Sequence, residues 1–535
     1  MSSVAADSLP APSSRPSLDR KPGVGTIFVF LALLAVGIGY TGYSLVDDIS
    51  STPQKMSLLP YLLLGVALLI ALGFEFVNGF HDTANAVATV IYTHSLQPNV
   101  AVMYSGTLNF LGVLFSSGAV AFGIISLLPV ELIMQVGTSA GFAMVFALLI
   151  AAIVWNLGTW YLGLPASSSH TLIGSIIGVG VANALMHGRD GTSGVDWSQA
   201  AKIGWSLLIS PVVGFVAAAL LFLALKALVK NRALYQEPKG NRGPPWWIRG
   251  ILILTCGGVS FAHGSNDGQK GMGLIMLILI GVVPMAYALN RAMPQAEMVP
   301  FVALATATQH SLDKYATAPA PADPRAALTT YVRTHKWDDQ VLPALSAVTG
   351  HIADQVRADG GFKQMPMNTV TNIRNDMYLT SEAERLLAKD PHSKAFDAET
   401  TGTLAAFKKE IDKATKFIPL WVKVAVAIAL GLGTMVGWKR IVVTIGEKIG
   451  KTHLTYAQGA SAELVAMSTI AAADMFGLPV STTHVLSSGV AGTMAANHSG
   501  LQMQTLRNLV VAWVLTLPAA ILISGSLYWV FSHVF

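Results

Sequence analysis

Long apolar stretches, separated by short polar or basic loops, make up most of this chain. A helix needs about 20 apolar residues to cross a bilayer. The single stretches of that length lie at 26–46, 58–92, 99–127, 202–229, 250–290, 418–438 and 505–531. Two further stretches, 141–186 and 456–496, each hold two apolar arms joined by a polar turn, which predicts a helical hairpin. The pattern therefore predicts an all-α polytopic membrane protein.

Composition supports this fold class. Of 535 residues, 53% are hydrophobic and only 12% are charged, against roughly 25% charged residues in a soluble domain. The net charge of +5 is small and spread over loops, so nucleic acid is not expected as a partner. The single cysteine, Cys256, excludes an internal disulfide framework.

The pattern divides the chain into seven segments. We expect a disordered basic tail at 1–25, an extra N-terminal transmembrane helix with its loop at 26–57, and a first transmembrane repeat at 58–230. A cytoplasmic basic loop at 231–249 precedes the first part of a second repeat at 250–290. The charge-rich segment 291–417 predicts a soluble helical insert in the periplasm, and 418–535 completes the second repeat.

Two polar stretches suggest the repeat, because each interrupts an apolar run in a similar way. They read GFEFVNGFHDTANAVAT at 73–89 and GVSFAHGSNDGQKGMGL at 258–274, so that Asp82 aligns with Asp267. Two hairpin turns, GLPASSSHT at 163–171 and GLPVSTTHV at 477–485, follow them. Once the 127 residues of 291–417 are removed, the spacing between motifs is nearly the same in both halves.

Orientation follows from the basic loops 230–249 and 439–455, because short Lys/Arg-rich loops stay in the cytoplasm. The N-terminus is then cytoplasmic, the segment 291–417 periplasmic and the C-terminus periplasmic. The two halves cross the membrane in opposite directions, as inverted-topology repeats do in many secondary transporters. We expect broken helices near both polar stretches and hairpins whose tips meet near the midplane.

The hairpin tips carry clustered hydroxyls at the predicted starts of helices. A helix N-terminus has free N–H groups and a partial positive charge, which suit an oxyanion. The hydroxyls predicted to contact the anion belong to Ser167, Ser168, Ser169, Ser481, Thr482 and Thr483. Bonding of these hydroxyls to their own helix backbone is the alternative.

The carboxylates and amides have a different predicted task. An ionisable group at bilayer depth costs roughly 2.5 kcal/mol or more and usually marks a site or pathway. Asp82 and Asp267 can accept a proton or hold a cation beside the anion, and a protonated anion such as hydrogen phosphate can donate its own O–H to them. The predicted coupling residues are Asn78, Asp82, Asn85, Asn266 and Asp267.

Lys270 aligns with Asn85, so the second half has a fixed ammonium where the first has an amide. This charge can replace one bound cation or neutralise Asp267, and it joins the predicted anion site. A lysine that snorkels to the membrane surface is the alternative.

Histidines and one further carboxylate accompany the motifs. A proton relay and a neutral hydrogen-bonding role are both open for the histidines. Their spacing predicts no fixed metal site. The relay candidates are His81, Glu75, His170, His263 and His484.

At these motifs the sequence resembles the inorganic phosphate transporter (PiT) family, particularly its bacterial low-affinity Pit branch. The matching stretches are NGFHDTANAVATVIYT at 78–93, GLPASSSHTLIG at 163–174, AHGSNDGQKGMG at 262–273 and GLPVSTTHVLSS at 477–488. The resemblance implies a cation-coupled symporter of the bacterial inner membrane. In the bacterial branch it implies proton symport of phosphate as a neutral divalent-metal complex. Lys270 departs from the sodium-coupled members, which have Asn there.

Other functions stay open at this point. Sodium-coupled transport of phosphate, or transport of another oxyanion such as sulfate, is the main alternative. An intramembrane hydrolase is disfavoured because no serine lies in a G-x-S-x-G elbow, and no signalling domain favours a sensor. We expect no enzyme activity and no cofactor. The expected partners are inorganic phosphate with arsenate as its analogue, protons, divalent metal ions, lipid and, as an option, a second copy in a homodimer.

Overall fold

The structure is a computed structural model that describes residues 16–18, 23–52, 58–82, 84–128, 132–133, 138–238 and 243–534, without the side chains of 84 and 85. Most of the tail predicted at 1–25 lies outside these ranges. Every longer regular element within them is a helix, as the sequence predicts.

The first half contains the helices α1 Val24–Ser50, α2 Leu58–Asp82, α3 Ala84–Tyr92, α4 Pro98–Phe115, α5 Ala119–Ile125, α6 Ser139–Tyr161, α7 Ser168–Met186 and α8 Trp197–Leu228. Next come α9 Trp246–Val282 and the short α10 Pro284–Tyr287. The predicted insert holds α11 Met298–Asp313, α12 Pro324–Thr334, α13 Val341–Ala358, α14 Met367–Leu387 and α15 Ala398–Thr415. The chain ends with α16 Leu420–Thr434, α17 Lys439–Val443, α18 Tyr456–Met475, α19 Thr482–Ala496 and α20 Met503–Val534.

Among the described residues, six helices are long and apolar enough to cross a membrane, or up to eight if each of two bent helix pairs is one span. The six include α1 and the joined range 58–92. The apolar helices therefore support a multi-pass membrane protein.

The second polar stretch does not break its helix. We predicted a break near the polar stretches, but α9 runs without interruption through Asn266, Asp267 and Lys270. In the first half α2 is also helical up to Asp82. For the second stretch the prediction was wrong, because Asn266 and Lys270 bond to groups outside α9, which leaves the backbone ladder of that helix intact. In the first half α2 ends at Asp82 and α3 begins at Ala84, and residue 83 lies outside the described residues, so a break there stays a prediction.

A break that we did not predict lies in the stretch 99–127, which we expected to be one span. There α4 and α5 meet at an angle of 75°. Gly118, at φ +86°, begins α5, a backbone conformation that glycine adopts without steric cost. A run of two serines and a glycine, 116–118, marks this turn in the sequence.

The two hairpins have one long arm and one arm that starts deep inside the protein. The long arms α6 and α18 have 23 and 20 residues, which at 1.5 Å per residue is enough to span a bilayer. Their turns are exposed, with Leu162 at 69% and Phe476 at 76%. The starts of α7 and α19, which carry the predicted hydroxyl clusters, are buried and come together at Asp82. A meeting near the membrane midplane stays a prediction.

Equivalent helices of the two halves make equivalent contacts, some within their own half and some with the other half. Helix α2 contacts α6 and α16, while α9 contacts α18 and α4. Helix α7 packs on α20, and α19 packs on α8. Most of the contact surface of each hairpin is thus supplied by the opposite half.

The helices α11 to α15 pack on one another around buried apolar residues that include Phe301 and Phe407. This group contacts the membrane helices where Arg385 lies 3.0 Å from Asp196, the residue that caps the start of α8. The other end of α8 leads into the basic loop. We call these two ends of the helices the insert side and the basic-loop side.

Candidate functional site

The starts of α7 and α19 converge because each follows a tight turn and is capped in the same way. Gly163 and Gly477 have φ of +69° and +63°, which reverses the chain after each long arm. The next residues are extended up to Ser167 and Ser481, whose hydroxyls accept the N–H groups of His170 at 3.2 Å and His484 at 3.1 Å. These two serines are N-caps, and a contact of either with an anion stays a prediction.

Asp82 receives hydroxyls from both hairpins. Ser168 donates to Oδ2 at 2.5 Å and Thr483 donates to Oδ1 at 3.0 Å. His81 Nδ1 lies 2.7 Å from Oδ1. Both carboxylate oxygens of Asp82 thus accept hydrogen bonds from the hairpins. Asp82 therefore joins elements that are 401 positions apart in the chain.

Asp267 forms the second centre through an ion pair. Lys270 Nζ lies 2.6 Å from Asp267 Oδ2 and donates to Ser169 Oγ at 2.5 Å. Ser169 in turn donates to the carbonyl of Val480 at 2.7 Å. Ser168 lies 3.4 Å from Asp267 Oδ2, so its hydroxyl links the two carboxylates. One continuous network therefore joins six of the predicted residues: Asp82, Asp267, Lys270, Ser168, Ser169 and Thr483.

This network is shielded from solvent. Lys270 and Asp267 are 0% exposed and Asp82 is 3% exposed, so Lys270 does not snorkel to the surface. Burial of an ion pair is costly unless further hydrogen bonds complete it. The hydroxyls supply those bonds to Lys270 and Asp82, whereas Asp267 Oδ1 and Thr482 Oγ1 have no hydrogen-bond partner among the described residues.

The four histidines divide into two pairs. His81 Nε2 lies 3.0 Å from Thr159 Oγ1, while His263 lies 3.4 Å from Asp267 and 2.8 Å from Asn109. These two flank the carboxylates. His170 and His484 instead pair with each other, with ring centroids 4.7 Å apart. The first pair thus lies within reach of the carboxylates.

The amide side chains hold neighbouring groups. Asn266 donates to the carbonyl of Leu478 at 3.1 Å and accepts the N–H of Val480 at 3.5 Å. It therefore holds the extended segment that precedes α19. Asn78 donates to Glu75 at 3.4 Å. The side chain of Asn85 lies outside the described residues.

Glu75 lies next to Gly271, the residue that follows Lys270. Its carboxyl occupies the place where a side chain on Gly271 would lie, because a Cβ there would be 2.4 Å from Glu75 Oε1. Gly271 directly follows Lys270, and Glu75 is 0% exposed. The structure thus places this relay candidate beside the ion pair.

Three of these groups could also hold a metal ion. Ligand atoms of Asp82, His263 and Asp267 all lie within 4.8 Å of one another. Carboxylate and imidazole ligands suit divalent transition metals. The sequence spacing did not reveal this arrangement, because Asp82 belongs to the other half of the chain.

Sequence reasoning missed further polar residues around the site. Thr159 and Asn109, the partners of His81 and His263, lie in mainly apolar helices and were not singled out as site residues. Asp474 was also missed, although an acidic residue three positions before Gly477 is a signal in itself. Glu463 was not missed, since it stands out as a carboxylate in an apolar stretch of the sequence. It is buried in α18 and accepts hydrogen bonds from Thr89 and Thr255.

Comparison with known proteins identifies the family. Residues 78–524 match the model of the phosphate transporter family. This chain belongs to the phosphate transporter family. Within it, PitA of Escherichia coli (strain K12), a low-affinity inorganic phosphate transporter, is 43% identical over 487 residues, covering 88% of this chain and 96% of PitA. PitB of the same organism is 42% identical with the same coverage. The chain is thus a bacterial Pit-type member of the family.

More distant relatives align over a similar share of this chain. A probable low-affinity inorganic phosphate transporter of Bacillus subtilis (strain 168) is 27% identical and covers 89% of this chain and 99% of its own length. Among solved structures, the sodium-dependent phosphate transporter aligns with a TM-score of 0.50 at 19% identity. The alignment covers 89% of this chain and 100% of that chain, and it supports the fold.

Proposed function

We propose that this protein is a secondary active symporter that imports inorganic phosphate across the bacterial inner membrane. Family membership supports phosphate as the substrate, and its relatives are named as transporters rather than enzymes. The observation that carries the proposal is the network in which Asp82 is bonded by Ser168 of one hairpin and Thr483 of the other.

Phosphate binds between the starts of α7 and α19. Their hydroxyls and free N–H groups donate to phosphate oxygens, and Lys270 supplies a positive charge. Hydrogen phosphate can donate its O–H to Asp82 or Asp267, whereas sulfate has no proton to donate. A site built around such a hydrogen bond rejects an analogue that cannot make it.

The inverted repeat is supported by matching close contacts. Gly79 and Gly264 stand 185 positions apart, like Asp82 and Asp267. A Cβ on Gly79 would lie 2.3 Å from the carbonyl oxygen of Leu430, and one on Gly264 would lie 2.2 Å from that of Asn109. In each half, the glycine at the equivalent position therefore lies in close contact with a helix of the other half. Alternating access follows if the halves exchange conformations around the network.

For orientation, we place the basic-loop side in the cytoplasm and the insert side in the periplasm. The contact between Arg385 and Asp196 supports this assignment, because it puts the segment 291–417 at the end of α8 opposite the basic loop. The N-terminus is then cytoplasmic and the C-terminus periplasmic. A homodimer remains a prediction.

Protons are the proposed coupling ion. The Lys270 ammonium already neutralises Asp267 at 2.6 Å, so a sodium ion has less to gain at this carboxylate. Asp82 and His81, whose Nδ1 lies 2.7 Å from the Asp82 carboxylate, are the groups proposed to carry the proton, since histidine is a common proton shuttle. Sodium-coupled transport is the alternative.

A divalent metal–phosphate complex is the second candidate substrate. The observation that favours it is the grouping of Asp82, His263 and Asp267 within 4.8 Å. These ligands would hold the cation of the complex while the hydroxyls hold its phosphate.

Uptake of labelled phosphate by purified protein in liposomes tests the proposal. We expect uptake driven by an imposed proton gradient, with arsenate competing well and sulfate poorly. Uptake that responds only to a sodium gradient would overturn proton coupling. Competition by sulfate equal to that by arsenate would contradict the role given to the carboxylates. Omission of Mg²⁺ and other divalent ions tests the metal complex.

A further inference from the structure

A buried arginine of the insert lacks a negatively charged neighbour. Arg374 lies on α14 and is 6% exposed. Its Nε has no hydrogen-bond partner among the described residues. One terminal nitrogen donates to Asn375 Oδ1 at 3.3 Å, and the guanidinium lies 5.4 Å from the centre of the Tyr378 ring. Both of these neighbours are neutral, so neither balances the charge.

An uncompensated charge is costly inside a protein. Arginine does not avoid this cost by losing its proton, because its guanidinium stays charged in proteins. Burial lowers the pKa of Arg374, and the neighbour that opposes this shift is Tyr378 rather than a carboxylate. A bound anion from solution would remove the cost.

Arg374 lines a cavity between the insert and the membrane helices. On the membrane side the lining comes from the end of α5 and from α9: Phe122, Ile125, Ser126, Leu277 and Ile280. An adjoining cavity shares Ser126, Tyr378 and Glu382 with the first and continues to Asp196 at the start of α8. Each offers about 30 Å³ to the centres of water-sized spheres, so together they have room for several water molecules. We call the two cavities the insert cleft.

Positive charge predominates in the insert cleft. The permanently charged residues of its lining are Arg333, Arg374, Arg385 and Lys416, against the carboxylates Asp196 and Glu382. Arg385 contacts both carboxylates, Asp196 at 3.0 Å and Glu382 at 2.7 Å. The acidic groups of the cleft are therefore already paired, and neither of them neutralises Arg374.

The insert cleft lies on the insert side of the phosphate network. Leu277, in its lining, is seven residues beyond Lys270 on α9, which is about 10 Å along the helix. At the outer edge, Lys416 contacts Asp412 at 2.9 Å and its side chain is 26% exposed. The cleft therefore borders solvent at one end and approaches the central site at the other.

We propose that Arg374, with Lys416 and Tyr378, forms an outer binding site for an inorganic oxyanion, which receives phosphate from the insert side before it reaches the central network. The identity of the ligand rests on the proposed function. Guanidinium groups bind tetrahedral oxyanions through paired N–H donors, and the Lys416 ammonium and the Tyr378 hydroxyl add further donors. Because Arg385 occupies the carboxylates of the cleft, the anion needs no proton of its own. The outer site therefore accepts sulfate as well as phosphate, whereas the central site rejects sulfate.

Protection of a cysteine in the insert cleft tests this site. Ser126 lines both cavities and is half-buried, so Ser126→Cys in a Cys256→Ser background reports whether the cleft is occupied. In detergent, millimolar phosphate or sulfate should slow its labelling by a thiol reagent several-fold, and chloride at equal ionic strength should not. Arg374→Gln should abolish the protection, and Arg374→Lys should keep part of it.

A matched control and a stability measurement separate binding from a structural role. Arg357→Gln changes an insert arginine whose side chain is 57% exposed, and it should keep full protection. Without added oxyanion, Arg374→Gln should unfold at the same temperature as the wild type or higher, because it removes an unbalanced charge. Sulfate should raise the unfolding temperature of the wild type but not of Arg374→Gln. A lower unfolding temperature of Arg374→Gln with unaltered protection would show that Arg374 is purely structural.

Uptake connects the outer site with transport. Arg374→Gln should raise the KM for phosphate several-fold at an unchanged maximum rate, and an unchanged KM would contradict the receiving role. If the Ser126→Cys side chain is protected without added anion and loses this protection when lipid is removed, the ligand is a lipid phosphodiester and the outer site is wrong.

Equal labelling with and without phosphate would also refute the outer site. Phosphate uptake by the wild-type protein would then leave the proposed function standing. Absence of uptake under every condition would instead refute the function itself, whatever the labelling shows.

Discussion

The two halves of the central site share a backbone frame and differ in charge. In the first half Asp82 is held by neutral hydroxyls and His81. In the second half Asp267 is held by the ammonium of Lys270. Both carboxylates lie on buried helices whose glycines contact the opposite half. The difference teaches that the matched spacing fixes the position of each carboxylate, while a single residue, Lys270, decides which of them has an ammonium partner.

The close glycine contacts that both halves share give the largest expected effect. Gly79→Ala and Gly264→Ala should each destabilise the protein by about 3 kcal/mol or more, because the added Cβ would collide with a backbone carbonyl that cannot rotate away. Thermal unfolding in detergent measures this loss. Gly73→Ala on α2 is the matched control, since a Cβ there meets nothing within 4 Å. Tolerance of either variant alone would break the equivalence of the two halves.

The charge of Lys270, which only the second half has, gives the next largest expected effect. Lys270→Asn should reduce phosphate uptake more than about 100-fold at neutral pH, because loss of one partner from a buried pair costs about 3–5 kcal/mol. Uptake measured against pH and sodium checks whether another cation can replace the ammonium.

The double variant sharpens this result. Asp267→Asn combined with Lys270→Asn should be more stable than either single variant, because the pair disappears together. Wild-type uptake by Lys270→Asn with an unchanged pH profile would contradict the ion-pair account.

Neighbouring serines at the start of α7 separate binding from stability. Ser168→Ala should weaken apparent phosphate affinity about 10-fold or more, since hydrogen bonds to charged groups contribute about 1.5–3 kcal/mol. Ser167→Ala should mainly lower stability by about 1 kcal/mol through the lost N-cap. Uptake at several phosphate concentrations, together with thermal unfolding, distinguishes the two. Equal loss of affinity in both variants would return Ser167 to the binding site.

The smallest expected effect lies in the segment 291–417, where two buried glutamates differ as the two aspartates do. Glu382 pairs with Arg385 at 2.7 Å, but neither carboxylate oxygen of Glu384 has a partner among the described residues. Burial raises the pKa of Glu384 well above its ordinary value, with Lys408 opposing and Asp412 adding to the shift. The folded state therefore holds the proton more tightly than the unfolded state.

The sign of the pH dependence follows from that shift. Stability should fall as pH rises above the ordinary pKa of glutamic acid, about 4.3, towards the raised value. Glu384→Gln removes this loss, so at pH 8 it should slow hydrogen exchange in α14 and α15, by on the order of 1 kcal/mol. Glu382→Gln should accelerate exchange instead. Slower exchange in both variants would show that the ion pair of Glu382 with Arg385 does not stabilise the segment.

The sequence predicted the helical membrane fold, and it singled out most of the polar residues that the structure brings together at Asp82 and Asp267, because charges and hydroxyls in apolar runs are easily seen. It did not predict that α9 is continuous, since whether Asn266 and Lys270 break a helix depends on partners such as Val480 and Ser169. It also missed Asn109 and Thr159. Nothing near them in sequence shows that they face a histidine from another helix.

The central claim is that hairpins from both halves serve one phosphate site at Asp82. A double-mutant cycle of phosphate binding with Ser168→Ala, Thr483→Ala and the combined variant tests it most directly. Because both hydroxyls bond the same carboxylate, we predict effects that are non-additive by about 0.5–3 kcal/mol. Strictly additive losses, or a loss in only one single variant, would show that the two hairpins act at separate places.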